Sequence, residues 1–293
     1  MATGRIKKAL SGFYYVESKE GETYQCKGRG VFRKRNITPL VGDMVTFDIS
    51  GQHEGYIVEI HPRENELVRP PIANITQAII VCSAMKPAFN TTLLDRFLVL
   101  VESKDIQPVI FLTKMDIAGQ EEANLVSYQR DYENIGYQVE MLSVENIETL
   151  SVVESYFKDN ITVIAGQSGV GKSSLLNAID PSLLLKTGEI SDSLGRGKHT
   201  TRHVELIPLY GGLVADTPGF SSLDFQDISL EELADCFPEI RERRQGCKFR
   251  GCMHHKEPKC AVKAAVEEGE IPSYRYDHYL RFFEEIQTRK PRY

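Results

Sequence analysis

The chain has 293 residues, 41% of them hydrophobic and 26% charged, the make-up of an ordinary folded chain with room for about two domains, or three smaller ones. No apolar run approaches the roughly 20 residues a membrane helix needs, and the opening Met-Ala-Thr-Gly-Arg-Ile-Lys-Lys has no apolar signal core, so no span, no export and a cytoplasmic setting are expected. A formal net charge of −6 gives the whole molecule no pull on polyanions, so any nucleic-acid contact has to come from local basic patches.

From about Gly4 to Val68 short strands are expected: Gly12 to Glu17, Glu22 to Cys26, Asp43 to Ile49 and Gly55 to Ile60. Glycines and polar turns at close spacing make this a small all-β barrel. Lys27 to Arg35 carries a run of basic residues. Such a run alone is a solvated face; on a barrel with Phe32 and Tyr24 nearby it reads as an RNA contact. Arg69-Pro-Pro71 has the look of a linker, closing a first domain at 1–70.

From Thr76 to Ser221, β-branched runs (Ala78 to Val81, Pro108 to Leu112, Ile161 to Ala165) alternate with amphipathic stretches such as Thr92 to Glu102. That pattern predicts a mostly parallel sheet covered by helices, a second domain over 71–221. Thr113, Lys114, Met115 and Asp116 end one strand, and the tetrapeptide resembles the Asn-Lys-x-Asp base-reading motif of GTPases. An ionised Asp accepts from both N1–H and the 2-amino group of guanine, whereas adenine leaves it unpaired. Thr113 replaces the Asn, which removes an amide that would help tie this loop to the cradle and the base, so lower affinity is expected while the discriminating Asp116 remains. Ser143, after the strand ending at Leu142, is a further candidate contact to the base.

Gly166, Gln167, Ser168, Gly169, Val170, Gly171, Lys172 and Ser173 match the phosphate-loop pattern without a gap, with Ser174 following. The loop follows a β-branched run and leads into a helical face of Leu175, Leu176 and Ile179. Its backbone N–H groups turn inward around phosphate oxygens and the helix N-terminus adds positive potential. Lys172 is expected to reach the β- and γ-phosphates and Ser173 to ligate Mg²⁺. Asp216-Thr-Pro-Gly219 ends a later strand, with Asp216 at the Mg²⁺ shell and the Gly219 amide at the γ-phosphate.

After Phe220 the strands stop, and helices are expected over Ser229 to Phe237 and Pro272 to Arg289 in a third domain, 222–293. Cys26, Cys82 and Cys236 are scattered and read as buried small side chains. Cys247, Cys252 and Cys260 crowd together with His254 and His255. Three thiolates and one imidazole select tetrahedral Zn²⁺ in a closed structural site, with either histidine able to complete it. Arg241, Arg243, Arg244, Lys248, Arg250, Lys256 and Lys259 surround the cluster as a basic surplus for phosphates.

The order of motifs is inverted. Ordinary small GTPases place the cradle first and the base reader last; here 113–116 precedes 166–173, which precedes Asp216. The same sheet is circularly permuted, and the segment after Asp216-Thr-Pro-Gly, which moves when γ-phosphate is lost, leads into the C-terminal region. With a barrel before and a Cys/His cluster after, the chain resembles the ribosome small-subunit-dependent GTPase A (RsgA) family over its whole length. The resemblance implies an oligonucleotide-binding (OB) barrel, a permuted GTPase domain and a mainly helical zinc domain. It also implies a role in late maturation of the 30S subunit, contact with its 16S rRNA, and GTP hydrolysis that the subunit stimulates. Gly195 to Arg202 resembles the family's switch I; Thr201, or alternatively Thr200, then closes over Mg²⁺, and His199 replaces the water-orienting glutamine that Phe220 lacks. The resemblance favours His254 over His255 as the metal ligand. A monomer is expected that binds GTP and GDP, with guanosine tetraphosphate as a further ligand whose 3′-diphosphate would sit near Arg196 and Lys198. Two other readings stay open: an RNA-binding assembly factor in which nucleotide is only structural, and a P-loop ATPase.

Overall fold

The structure is a computed structural model that describes residues 1–30, 32, 37–68, 70–180, 204–216 and 223–289. The chain divides into two compact units, one of Met1–Ile79, Val144–Ala165 and Lys172–Ser221, the other of Ile80–Ser143, Gly166–Gly171 and Ser222–Tyr293.

The first unit opens with β1 (Ala2–Leu10), β2 (Phe13–Ser18), β3 (Thr23–Gly28), β4 (Met44–Gly51) and β5 (Glu54–Ile60). They run in the order β1-β2-β3-β5-β4, and a β1–β4 pairing closes the barrel. Ile6, Val16, Cys26, Val45, Phe47 and Ile57 fill it, the inward half of an alternating pattern. Beneath it Arg63 forks onto the buried Asp43 carboxylate at 2.8 and 2.9 Å. The segment expected to be a linker is instead folded in: Pro70 and Pro71 sit in the turn between β6 (Glu66–Leu67) and β7 (Ile72–Ala73). Leu67 and Ile72 are buried, and that burial docks the turn. Phe32 also departs from expectation. It is only 8% exposed, because a ring at this surface gains more from packing than from solvent, so it is not a free platform for a base.

The rest of the chain supplies β8 (Gln77–Ser83), α1 (Thr91–Glu102), β9 (Gln107–Thr113), α2 (Glu122–Ile135), β10 (Gln138–Met141), α3 (Ile147–Phe157), β11 (Ile161–Ala165), α4 (Lys172–Ile179), β12 (Val204–Leu209) and β13 (Gly212–Asp216). Local chemistry sets the ends: Asn90 caps α1 through the Leu93 N–H, and Gly136 ends α2 in a left-handed conformation. Within the first unit β11 and β13 pair in parallel, while β12 returns antiparallel to β13. β12 also pairs antiparallel with β1, Lys8 opposite Glu205 and Ala9 opposite Val204. A register shift between Ile6 and Lys8 lets β1 serve two partners, barrel strand β4 at one end and β12 at the other. The pattern reading missed β12, whose Pro208 disguises a strand. In the second unit β10 and β9 run parallel beside the second half of β8.

The C-terminal region of the second unit contains α5 (Leu230–Leu233), α6 (Pro238–Arg243), α7 (Ala261–Glu267) and α8 (Ser273–Thr288). A capping box between Ser229 and Glu232 opens α5. Phe225, Phe237, Ile240, Val262, Tyr279 and Phe282 form one core with Val99 of α1. Inside it lies Arg275, at 0% exposure. Its guanidinium donates to Glu239 at 2.7 and 3.1 Å and to Asp95 of α1 at 2.5 Å. Asp95 also accepts from the Tyr132 hydroxyl at 2.6 Å. The two carboxylates raise the Arg275 pKa well above its ordinary value despite desolvation.

Candidate nucleotide and metal sites

The phosphate-loop residues 166–171 and the base-reading segment lie in one unit. Gly166 has φ +140°, and a Cβ there would meet the Val81 carbonyl oxygen at 2.2 Å, so only glycine fits the bend. Ser168 and Gly169 are exposed and Val170 is buried. Lys172 and Ser173 open α4 directly after the loop, and Ser174 follows on an exposed position.

Thr113 is the last residue of β9 and only 2% exposed. Its Oγ1 lies 2.5 Å from the carbonyl oxygen of Val170 and 3.0 Å from that of Cys82. Lys114, with φ +61°, donates from Nζ to the carbonyl of Gly169 at 2.7 Å and also to that of Lys86. The expected loss of a tie between this loop and the cradle is therefore corrected: a hydroxyl and an ammonium make the tie that an amide would have made. Met115 packs half-buried on the cluster around Ala84, Leu112, Ala118 and Leu125. Asp116 is exposed, and the Ser143 hydroxyl donates to its Oδ1 at 2.9 Å. Ser143 thus aligns the carboxylate, a role its distance in sequence did not suggest. Asp216 ends β13 opposite Glu205. His199, Thr200, Thr201, Arg196, Lys198, Gly219 and Phe220 lie outside the described residues.

The second candidate site is the Cys/His cluster. The ligand atoms of Cys247, Cys252, His254 and Cys260 all lie within 4.8 Å of one another. His254 Nδ1 is 3.5 Å from Cys247 Sγ and 3.3 Å from Cys260 Sγ, and the two sulfurs are 3.8 Å apart. The structure separates the two histidines: His254 is buried toward the sulfurs, while His255 sets its ring edge-on to Phe283. Burial lowers the His254 pKa and keeps the ring neutral, and burial pushes the Cys252 thiol up to about 12, so a bound metal would displace its proton. The helical frame holds the loop by its backbone: Tyr276 and Tyr279 hydroxyls donate to the carbonyls of His254 at 2.6 Å and Met253 at 2.7 Å.

The basic surplus around the cluster is smaller than its sequence suggested. Arg241 pairs with Glu102, Arg243 with Glu270 and Arg244 with Asp235. Lys248, Arg250, Lys256 and Lys259 make no ion pair among the described residues. Lys27 lies over the Phe13 ring and Arg29 pairs with Asp48 on the barrel. Sequence reasoning also missed Asp95 and Arg275. Their signal was a charge set within an apolar helical face, Asp95 between Leu94 and Phe97.

A phosphate-loop sequence between a parallel strand and a helix, with Thr-Lys-Met-Asp ahead of it and a five-stranded barrel before both, defines a circularly permuted P-loop GTPase. The family model described as RsgA GTPase matches residues 60–226, and that described as RsgA N-terminal domain matches residues 3–57. The chain belongs to the RsgA GTPase family. It is 64% identical over 294 residues to small ribosomal subunit biogenesis GTPase RsgA 2 of Oceanobacillus iheyensis, and 60% identical over 298 residues to the Bacillus subtilis protein named small ribosomal subunit biogenesis GTPase RsgA, with 100% of both chains covered each time. Among solved structures it is similar to YloQ, described as a circularly permuted GTPase, at 55% identity and a TM-score of 0.86, over 100% of this chain and 97% of that one. It is also similar to YjeQ from Thermotoga maritima at 36% identity and a TM-score of 0.87, over 99% of each.

Proposed function

We propose that this chain binds the 30S ribosomal subunit in its GTP state, acts in late maturation of that subunit and leaves when GTP is hydrolysed to GDP and phosphate. The observation that carries the reading is the joined pair of base reader and cradle: Asp116 aligned by Ser143, and Thr113 and Lys114 bonded to the loop carbonyls. Asp116 accepts from guanine N1–H and its 2-amino group, Lys172 neutralises the β- and γ-phosphates, and the loop N–H groups from Gly166 to Ser174 enclose them. Ser173 and Thr201 are the Mg²⁺ ligands, with Asp216 at the ion's water shell and the Gly219 N–H at the γ-phosphate; Mg²⁺ supplies charge neutralisation there. His199 orients the attacking water, because Phe220 has no group to do so.

Residues 1–70 form the OB-type RNA-binding domain, 71–221 the GTPase domain and 222–293 the zinc domain. Cys247, Cys252, His254 and Cys260 hold one structural zinc ion. A tetrahedral site with Zn–S and Zn–N bonds of usual length sets its sulfurs about 3.8 Å apart and S···N near 3.6 Å, close to the spacing of Cys247, His254 and Cys260, with Cys252 within 4.8 Å of the other three. The barrel and the unpaired cations of the metal loop face 16S rRNA, the protein works as a cytoplasmic monomer, and guanosine tetraphosphate competes with GDP. GTP turnover measured with and without purified 30S subunits tests the central reading. Stimulation by the subunit, with ATP failing to compete, is the expected result; unstimulated turnover overturns it.

A further inference from the structure

We propose that Phe249, in the loop of the Cys/His cluster, is a stacking platform for an unpaired RNA base, with Lys248, Arg250, Lys256 and Lys259 taking the neighbouring phosphates. The inference rests on the RNA-contact reading above and deepens it by naming the form of RNA this loop takes. Residues 248–251 are all exposed, and Phe249, at 44%, is the one exposed phenylalanine among the described residues. The Cys252 N–H donates to the Phe249 carbonyl at 3.3 Å, closing a turn that Gly251 completes with φ +73°. Cys252 belongs to the cluster, so one end of the turn is anchored while its aromatic end faces solvent. The Lys248 N–H bonds the Lys259 carbonyl at 3.3 Å, which brings the far end of the loop beside the turn. Lys248 Nζ stands 5.6 Å from the centroid of the Phe249 ring, near enough for one nucleotide to set its phosphate on the ammonium and its base on the ring.

The charge of the loop is not cancelled from within. Glu257 is the only acid between Cys247 and Cys260. Its two oxygens accept from the loop's own Met253 and His255 N–H groups, at 3.0 Å each. The four cations make no ion pair among the described residues, whereas Arg241, Arg243 and Arg244 behind them are all paired. Unpaired cations call for a polyanion, and an exposed ring with no polar atom calls for a flat apolar partner. An acidic protein surface supplies only the first, and a membrane surface needs a broader apolar face than one ring. Nucleic acid supplies both. In a duplex each base is already stacked on its neighbours, so the partner is a single strand, a loop or a bulge. A phenyl ring makes no conventional hydrogen bond, so the platform tolerates any base.

The test is titration of the full chain with fluorescein-labelled oligo(U), and with the oligo(A)·oligo(U) duplex, for Phe249→Ala, Phe249→Leu and Phe249→Tyr. Loss of one stacked base predicts about tenfold weaker oligo(U) binding in F249A, an intermediate loss in F249L and parental affinity within about twofold in F249Y. Duplex binding should stay within about twofold in all of them. F249A should keep the parental salt slope, while Lys248→Gln with Arg250→Gln should lower it by about 1.4, two phosphate contacts at about 0.7 each. Parental oligo(U) affinity in F249A, F249L equal to the parent, or a loss as large on the duplex as on oligo(U) overturns the platform. Metal analysis of each variant checks the loop; should F249A lose its metal, F249L against F249Y still decides. Displacement of oligo(U) by poly-glutamate, with F249A as tight as the parent, assigns the loop to an acidic protein surface and overturns the proposal. Co-sedimentation of the parent with 30S subunits separates the two readings, since a chain that stacks oligo(U) through Phe249 yet fails to bind 30S strikes the subunit reading alone.

Discussion

Asp116 is an exposed carboxylate held by the Ser143 hydroxyl, an acceptor whose orientation is set before any ligand arrives. Asp116→Asn replaces a double acceptor with a group that donates. Hydrogen bonds to a charged partner contribute about 1.5–3 kcal/mol each, so GTP binding should weaken by about tenfold or more. Xanthosine triphosphate should gain, because the new amide donates to its 2-oxo group. Competition between the two nucleotides measures this directly, and an unchanged preference for GTP would remove Asp116 from the pocket. The role proposed for His199 is of a different kind. A group that orients water acts in the transition state and little in the ground state. His199→Ala should lower 30S-stimulated turnover by about a hundredfold with GTP affinity nearly intact. Equal turnover by variant and parent at saturating GTP and 30S would leave His199 an ordinary loop histidine.

At the scale of elements, α8 ties α1 to the metal loop within the second unit. One side of it meets α1, through Arg275 to Asp95, His278 to Asp95 and Glu285 to Arg96. Tyr276 and Tyr279 hold the metal loop. Arg275 is the vulnerable point because it neutralises two buried carboxylates at once. Arg275→Ala leaves Asp95 and Glu239 without their cation, and breaking a buried pair in this way costs about 3–5 kcal/mol. Arg275→Lys should recover only part of that, since an ammonium on a flexible stem lacks the planar five-donor fork by which the guanidinium bonds Glu239 twice and Asp95 once. Denaturant unfolding of the full chain checks both; a loss below about 1 kcal/mol in the alanine variant would show that the carboxylates find other partners.

For the whole molecule the decisive feature is the permutation. It puts Asp216-Thr-Pro-Gly219 immediately before the helical region that bears the Cys/His cluster. Cys260 belongs to the core of that region and Cys247 and Cys252 pack against it, so a metal held by the cluster would add to its local order. Cys252→Ser should lose zinc and the GTP-dependent part of 30S affinity while GDP binding stays near parental. Metal analysis paired with co-sedimentation on 30S subunits, in GTP and in GDP, reads both effects. A zinc-free variant that still prefers the subunit in the GTP state would show that the cluster does not relay the nucleotide.

What the sequence determined by itself was the chemistry written in consecutive residues. A glycine loop before Lys-Ser, a Thr-Lys-Met-Asp strand end and four soft ligands within 247–260 carry their meaning locally. Each needs only the element beneath it, and β9, β11 and α4 form where apolar periodicity places them. Their order along the chain sufficed for the permuted topology. The tertiary structure decided whatever depends on partners far apart in sequence. Thr113 reaches a carbonyl 57 residues away, Arg275 a carboxylate 180 residues away, and β1 finds β12 across most of the chain. No local pattern encodes those pairings, because a hydroxyl or a guanidinium has the same composition whether it faces water, a phosphate or a buried carboxylate. Thr113 read alone as a weakened motif; folded against Val170 and Cys82 it is the tie between base reader and cradle, since burial obliges its one proton to find a carbonyl.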